Sequence, residues 1–214
     1  MSLEGVLAAA RGELGTTEYP PGSNRTKYGA AYAWDGVPWC CIFLWWCFRE
    51  AGESEAFYGG GKTASCGALY RWYRERGMTV PREEARPGDI LILDFSGTGD
   101  TQHCGLVVQT VGENTGWYRT IEGNTAPGPE GSQTEGGCVA LRVRNREQVL
   151  GVCRPPYGEE TPAEPDWTGH WAEESIRWAI GKGLMLGYED GTWRPDRAVT
   201  RGELAAVLKR LEGE

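Results

Sequence analysis

Four residues whose types together support thiol chemistry lie in three separate stretches of this chain of 214 residues. Cys40 opens an apolar run that stops at Gly52, a pattern that predicts a helix with a cysteine in its first turn. His103 begins a run typical of a strand, and Glu122 and Asn124 stand at the end of the next one. A thiol hydrolase needs a thiolate, a base beside it and a group that orients the base.

Each candidate also has an ordinary structural interpretation. The N-terminus of a helix favours the thiolate and predicts a lowered pKa for Cys40, yet cysteine is just as often a small buried hydrophobic residue. A strand histidine such as His103 is commonly a hydrogen-bonded core residue, and Asn124 could simply form a turn. Glu122 and Asn124 are two residues apart and share one face of a strand, so either could accept from His103.

The elements around these residues change from helical to extended along the chain. Apolar residues at helical spacing predict a helix at 2–14, one that begins at Cys40 and one at 65–76. Short apolar runs between turn residues predict five strands, at 90–95, 103–108, 117–122, 138–143 and 149–153. Helices followed by an antiparallel sheet predict the α+β class.

A proline-rich, acidic segment at 158–165 predicts an extended linker. It separates a domain at 1–157 from a small module at 166–214. The module contains two predicted helices, one at 171–181 and one that opens at Thr200 with a capping box to Glu203. The spacing of the apolar residues in the last helix predicts a buried face, made of Leu204, Val207, Leu208 and Leu211.

Composition excludes several classes of function. The net charge is −8 and lysine and arginine form no stripe, so we expect no nucleic-acid partner. The sequence shows neither a signal peptide nor a membrane-spanning run, so we expect no membrane partner. Seven cysteines, an odd number without CxxC pairs, predict reduced thiols. No cluster of metal ligands is evident along the sequence, so we expect no metal and no cofactor.

Five short segments occur in the order found in the CHAP family, the cysteine, histidine-dependent amidohydrolases/peptidases. The segments are 22–24 with 27–29, 38–40, 86–90, 103–107 and 121–124. The resemblance covers residues 1–157 and implies a papain-like fold in which N-terminal helices pack on an antiparallel sheet. It implies that Cys40 rather than Cys41 is the nucleophile, that His103 is the base, and that Glu122 and Asn124 complete the catalytic set.

The same resemblance implies peptidoglycan as the substrate, with substrate contacts at Trp39 and Asn24. It implies cleavage of an amide through a thioester, by an N-acetylmuramoyl-L-alanine amidase or by a peptidoglycan endopeptidase. Some members carry an Asp-rich calcium loop, which this sequence lacks, so calcium is not expected.

The module at 166–214 resembles the S-layer homology (SLH) family. The resemblance is carried by Trp167, 170–172, Ile176, Gly183, 187–188, 190–191, 194–196 and 200–204. It implies binding of a secondary cell-wall polymer, with Arg201 as a contact to an anionic sugar, since a guanidinium pairs well with a carboxylate. In the alternative interpretation, Arg201 only complements its helix and the solvent. Such modules usually occur in threes, so this module either binds weakly or is completed in a homotrimer.

The leading hypothesis is therefore a lytic enzyme of the bacterial cell wall, similar to a phage or prophage endolysin. Such an enzyme is cytoplasmic until its release and then acts at the wall. One alternative is a catalytically inactive cell-wall-binding protein, which alkylation of a reactive thiol at neutral pH would distinguish. Another is a papain-like protease, which would digest casein without lysing walls.

Overall fold

The computed structural model describes residues 3–111, 116–128, 131–157, 165–185, 187–188 and 192–211. The chain divides into two compact units, Met1–Glu159 and Glu160–Glu214, and each is described by itself. The linker predicted at 158–165 lies, apart from Pro165, outside the described residues. Two residues that contribute to the SLH resemblance, Asp190 and Gly191, lie outside them as well.

Helices come first in the N-terminal unit and strands follow. The helices are α1 (Leu3–Gly12), α2 (Lys27–Tyr32), α3 (Cys40–Glu50), α4 (Ser54–Tyr58) and α5 (Cys66–Glu75). The strands are β1 (Thr79–Val80), β2 (Ile90–Leu93), β3 (His103–Val111), β4 (Trp117–Thr125), β5 (Cys138–Asn145) and β6 (Val149–Cys153). They form one sheet in the order β1-β6-β2-β3-β4-β5, and every neighbouring pair is antiparallel. The predicted α+β class is confirmed.

Helix α3 is the central helix of this unit and packs against β3 and β4. Most of its side chains are buried, including Phe43 and Leu44, because both faces of the helix meet other elements. Burying each such side chain contributes about 1.5–3 kcal/mol to folding. Gly123 on β4 permits the close approach, since a Cβ atom there would lie 2.6 Å from Cβ of Phe43 and 2.8 Å from Cζ3 of Trp39. The start of α3 is thereby held against the sheet.

The C-terminal unit contains helices α6 (Glu173–Gly181) and α7 (Arg201–Leu211). The predicted capping box is present, because the Glu203 amide donates to Thr200 Oγ1 and the Thr200 amide donates to Glu203 Oε2. The predicted buried face of the last helix is wrong. Leu204, Leu208 and Leu211 are 48, 53 and 60% exposed. So small a unit has little interior in which to bury them.

None of the described helices combines the length and the apolar character needed to cross a bilayer. All seven cysteines carry free thiols, and all seven are buried.

Candidate active site

Three elements of the N-terminal unit bring the candidate thiol, base and carboxylate together. Cys40 is the first residue of α3, His103 is the first residue of β3, and Glu122 lies on β4. The imidazole Nε2 of His103 lies 3.0 Å from Oε2 of Glu122. Both side chains are fully buried, whereas Cys40 retains 6% exposure.

The two ring nitrogens of His103 differ in their hydrogen bonding. A carboxylate only accepts hydrogen bonds, so Nε2 carries the proton that is donated to Glu122. Nδ1 is buried and has no hydrogen-bond partner among the described residues. Burial lowers the pKa of His103, but the Cys40 thiolate and the Glu122 carboxylate raise it by more, to about 9. The ring therefore binds a proton strongly once the nearby thiol has lost its own.

Glu122 is held by two further side chains. Thr120 Oγ1 donates to Oε1 of Glu122 at 2.6 Å, and Nε of Arg144 donates to the same oxygen at 2.8 Å. A second nitrogen of the Arg144 guanidinium pairs with Oε2. Burial raises the pKa of Glu122, but the hydrogen bonds and charges of Arg144 and His103 lower it by more, to about 2. Glu122 is therefore ionised at neutral pH, and its negative charge is balanced.

Arg144 is a residue of the site that the sequence analysis missed. It lies on β5, where Tyr118 of β4 is its partner across the sheet. Since side chains alternate along a strand, Arg144 shares a face with Thr120 and Glu122. Its guanidinium also lies over the ring of Phe95, 4.9 Å from the centroid. Two arginines at alternate positions of a strand, Arg142 and Arg144, are the sequence signal that could have indicated a buried anion opposite them.

Cys40 differs from the expectation for a thiol at a helix start. A hydrogen bond with Cys104 lowers the pKa of the Cys40 thiol, but the Cys66 thiol and burial raise it by more, so the pKa lies above its usual range. The two sulfur atoms of Cys40 and Cys66 are only 3.6 Å apart. The expected lowering of the pKa is therefore wrong, because the helix N-terminus acts in a buried setting crowded with other thiols.

Asn124 is close to this group but makes other contacts. Its Nδ2 donates to Oδ1 of Asn24 at 3.2 Å, and its Oδ1 accepts from the Gly137 amide at 3.3 Å. Of the two residues that could orient His103, Glu122 therefore makes the hydrogen bond and Asn124 does not. Both asparagines have left-handed backbone conformations, with φ of 55° at Asn24 and 56° at Asn124. This conformation is tolerated better by asparagine than by most residues.

The residues expected to contact substrate lie in different surroundings. Trp39 is fully buried and packs against the rings of Tyr28 and Phe43, with centroids 5.5 and 6.5 Å away. Its indole therefore has no surface open to a ligand in this structure, and its packing is that of a core residue. Asn24 is half-buried, and its amide donates to Glu18 Oε2 at 2.9 Å. Arg201 is the exposed first residue of α7 in the C-terminal unit.

Acidification is expected to destabilise the N-terminal unit through Glu122. The pKa of this carboxyl is about 2 in the folded chain and 4.5 ordinarily, so its contribution is complete above pH 4.5 and is lost as pH falls through 2. This difference in pKa corresponds to about 3 kcal/mol in the free energy of unfolding. Urea unfolding of the wild type and of Glu122→Gln between pH 7 and pH 2 measures this contribution. Subtracting one curve of unfolding free energy against pH from the other removes the contributions of the other carboxylates. Parallel curves for the two proteins would contradict this assignment.

Comparison with known families follows the same division of the chain. A family model of the CHAP domain matches residues 16–124, just over half of the chain, and one of the S-layer homology domain matches residues 165–205. The CHAP match includes Cys40, His103, Glu122 and Asn124, but ends before Arg144.

Several similar proteins are surface proteins of bacteria. Cell surface glycoprotein 1 of Acetivibrio thermocellus is 49% identical over 99 residues, which cover 45% of this chain and 4% of that protein. An S-layer protein of Bacillus licheniformis is 35% identical over 65 residues, 29% of this chain and 7% of that protein. Outer membrane protein SlpA of Deinococcus radiodurans is 40% identical over 58 residues, 27% of this chain and 5% of that protein.

The chain thus spans only a small fraction of the length of these relatives. The two family matches, in contrast, account for most of the chain itself, and they follow each other in the expected order. The chain therefore belongs to the CHAP family, with an S-layer homology domain after its CHAP domain.

Proposed function

We propose that the N-terminal unit is a cysteine amidohydrolase that cleaves an amide bond of peptidoglycan, and that the C-terminal unit attaches it to the cell wall. The observation that supports this most directly is the bond between Nε2 of His103 and Oε2 of Glu122 at 3.0 Å. It leaves the other ring nitrogen for the thiol of Cys40. The arrangement matches the order of roles in a thiol hydrolase: nucleophile, base and orienting group.

In the proposed reaction, Nδ1 of His103 takes the proton of Cys40 as the sulfur attacks the amide carbonyl. The imidazolium is then stabilised by Glu122, whose own charge is balanced by Arg144. Free backbone N–H groups at the start of α3 are suited to stabilise the oxyanion. His103 next protonates the leaving amine, and water hydrolyses the thioester.

The proposed reaction fits a Cys40 thiol that is protonated at rest. Its pKa is raised in the free structure, so catalysis depends on transfer of its proton to His103 rather than on a permanent thiolate. The Cys40 thiolate and Glu122 raise the pKa of His103 to about 9, which brings the base closer to the thiol in proton affinity and reduces the cost of that transfer. Glu122 is the ionised neighbour of the ring, so it stabilises the imidazolium that forms once the proton has moved.

We propose domain boundaries at 1–157 for the catalytic domain, 158–165 for the linker and 166–214 for the wall-binding module. The exposed Arg201 is the proposed contact to an anionic sugar of a secondary cell-wall polymer. Both N-acetylmuramoyl-L-alanine amidase and peptidoglycan endopeptidase are compatible with this site. The endolysin role, the cytoplasmic location before release and the homotrimer stay predictions of the sequence.

The experiment that tests the catalytic proposal is digestion of purified peptidoglycan of several wall types, with products identified by mass spectrometry. Intact free stem peptides from the wild type indicate an amidase, whereas shortened stems or split cross-bridges indicate an endopeptidase. Equal products from the wild type and Cys40→Ala, or no products from either, would contradict the proposal and favour an inactive wall-binding protein.

Wall binding is expected to depend on Arg201. A charged hydrogen bond contributes about 1.5–3 kcal/mol, so Arg201→Ala should weaken binding to isolated walls by about 10-fold or more. Co-sedimentation with walls over a range of protein concentrations measures this affinity. Lys209→Ala is the matched control, because Lys209 is an exposed cation on the same helix. Equal losses in the two variants would leave Arg201 with no role beyond general charge.

A further inference from the structure

Three cysteine side chains from three different elements meet at the candidate active site. They are Cys40 at the first position of α3, Cys66 at the first position of α5, and Cys104 at the second position of β3. Their sulfur atoms all lie within 4.8 Å of one another, and those of Cys40 and Cys66 are 3.6 Å apart. In the part of the chain that the structure describes, no other three Cys, His, Asp or Glu side chains converge in this way.

The spacing of the sulfur atoms suits a thiolate-bound metal. A Zn–S bond is about 2.3 Å, so two sulfur ligands of a tetrahedral zinc lie about 3.8 Å apart. The Cys40–Cys66 distance of 3.6 Å is close to that value. It is much longer than a disulfide bond, which is about 2.05 Å. The upper limit of 4.8 Å for the group requires movement of about 1 Å at most.

Two of the three sulfur atoms lie at helix N-termini, and all three lie in a buried setting. Two helices of 11 and 10 residues, α3 and α5, begin at members of the cluster, and helix N-termini stabilise negative charge. The third member, Cys104, is completely buried, whereas Cys40 and Cys66 are 6 and 7% exposed. An ion bound here would thus be largely enclosed by protein.

We propose that Cys40, Cys66 and Cys104 form a three-thiolate site for a soft divalent ion such as Zn²⁺, with a fourth position filled by water. Sulfur ligands select zinc over calcium or magnesium. The ion occupies the sulfur of Cys40, so a metal-bound chain is inactive until the ion is removed. Metal binding does not rest on the proposed function, whereas the loss of hydrolysis does. The sequence alone predicts no metal, because these ligands are far apart along the chain.

Binding releases protons, since metal ligands of this type must be thiolates. The apparent zinc affinity is therefore expected to rise as pH increases from 6 to 8.

The test is titration of the full chain with Zn²⁺ against a chromophoric chelator, in a phosphine reductant that keeps the thiols reduced. We expect one equivalent per chain in the wild type and an affinity about 100-fold lower in Cys104→Ser and in Cys66→Ala. Cys138→Ala is the matched control, a buried thiol outside the cluster, and should bind like the wild type. If Cys104→Ser fails to fold, the Cys66→Ala affinity decides.

Substitution by Co²⁺ gives a readout that does not depend on activity. Thiolate-to-cobalt absorption is expected in the wild type and in Cys138→Ala, and should be weakened in Cys66→Ala. Absence of zinc binding by the wild type, or equal affinity in Cys66→Ala, would overturn the proposed site. One equivalent of Zn²⁺ should abolish hydrolysis by the wild type, and a chelator should restore it. Zinc binding without any hydrolysis by the metal-free chain would instead count against the proposed function alone.

Discussion

The Cys40→Ala variant is expected to lose peptidoglycan hydrolysis by about 10⁴-fold or more in kcat. Alanine removes the only atom of this side chain that can attack a carbonyl, while the first turn of α3 keeps its backbone. The buried Cys40 makes sulfur contacts to other thiols rather than strong hydrogen bonds, so the fold should lose little stability. Initial rates of wall turbidity loss, together with thermal unfolding of both proteins, measure these two effects.

Cys41→Ala is the matched control for this experiment. Cys41 is the next residue of the same helix and is fully buried, whereas Cys40 is 6% exposed and influences the pKa of His103. We expect Cys41→Ala to keep its rate within a few-fold of the wild type. A large loss of activity in Cys41→Ala, together with retained activity in Cys40→Ala, would show that Cys41 and not Cys40 is the nucleophile.

Glu122→Gln is expected to have the second-largest effect, on activity and on stability together. The amide of glutamine can donate a hydrogen bond to Nε2 of His103, which places the ring proton on Nδ1. A protonated Nδ1 cannot accept the proton of Cys40. A fall of about 10³-fold in kcat is expected from the wrong tautomer. Arg144 is only 3% exposed and loses its counter-ion, which costs about 3–5 kcal/mol in the free energy of unfolding.

The two effects can be separated by a second substitution. In Glu122→Gln/Arg144→Met the unpaired buried charge is gone, so about 2 kcal/mol of stability should return while activity stays low. Urea unfolding and initial rates of the single and double variants make this comparison.

The exposed ion pair of Arg49 and Glu50, whose charged atoms are 2.6 Å apart, provides the control for the buried pair of Glu122 and Arg144. Glu50→Gln should change the free energy of unfolding by less than about 1 kcal/mol and leave the rate unaltered. Full activity in Glu122→Gln would contradict the role given to Glu122. A double variant that regains activity as well as stability would show that the carboxylate acts only on the fold.

The parts of the site that could be predicted from sequence are those with strong local signals. The start of α3 follows from the apolar run that begins at Cys40, and the strand that begins at His103 follows from its apolar pattern. Two residues at alternate positions of a strand share a face, which brought Glu122 and Asn124 into consideration together. The choice between them required the hydrogen bonds, because both satisfy the same pattern.

The remaining parts depend on pairings between distant positions. Arg144 reaches Glu122 only because β4 and β5 pair in one particular register. Asn124 bonds to Asn24, which is 100 residues earlier. The short elements α2, α4 and β1 have too few residues to show a period. The exposed Leu208 shows what a clear helical period cannot predict. The period determines which residues share a face of the helix, but not whether another element covers that face.

The buried pair of Glu122 and Arg144 sets a lower limit on how far the catalytic part of this chain can be shortened. The CHAP match ends at residue 124, so a fragment designed on that match would keep the carboxylate and discard the cation on β5 that neutralises it. Such a fragment would carry an uncompensated charge beside its own base. Any minimal fragment of this domain, or any fusion that transplants it to another module, has to extend through β5 and therefore to residue 145.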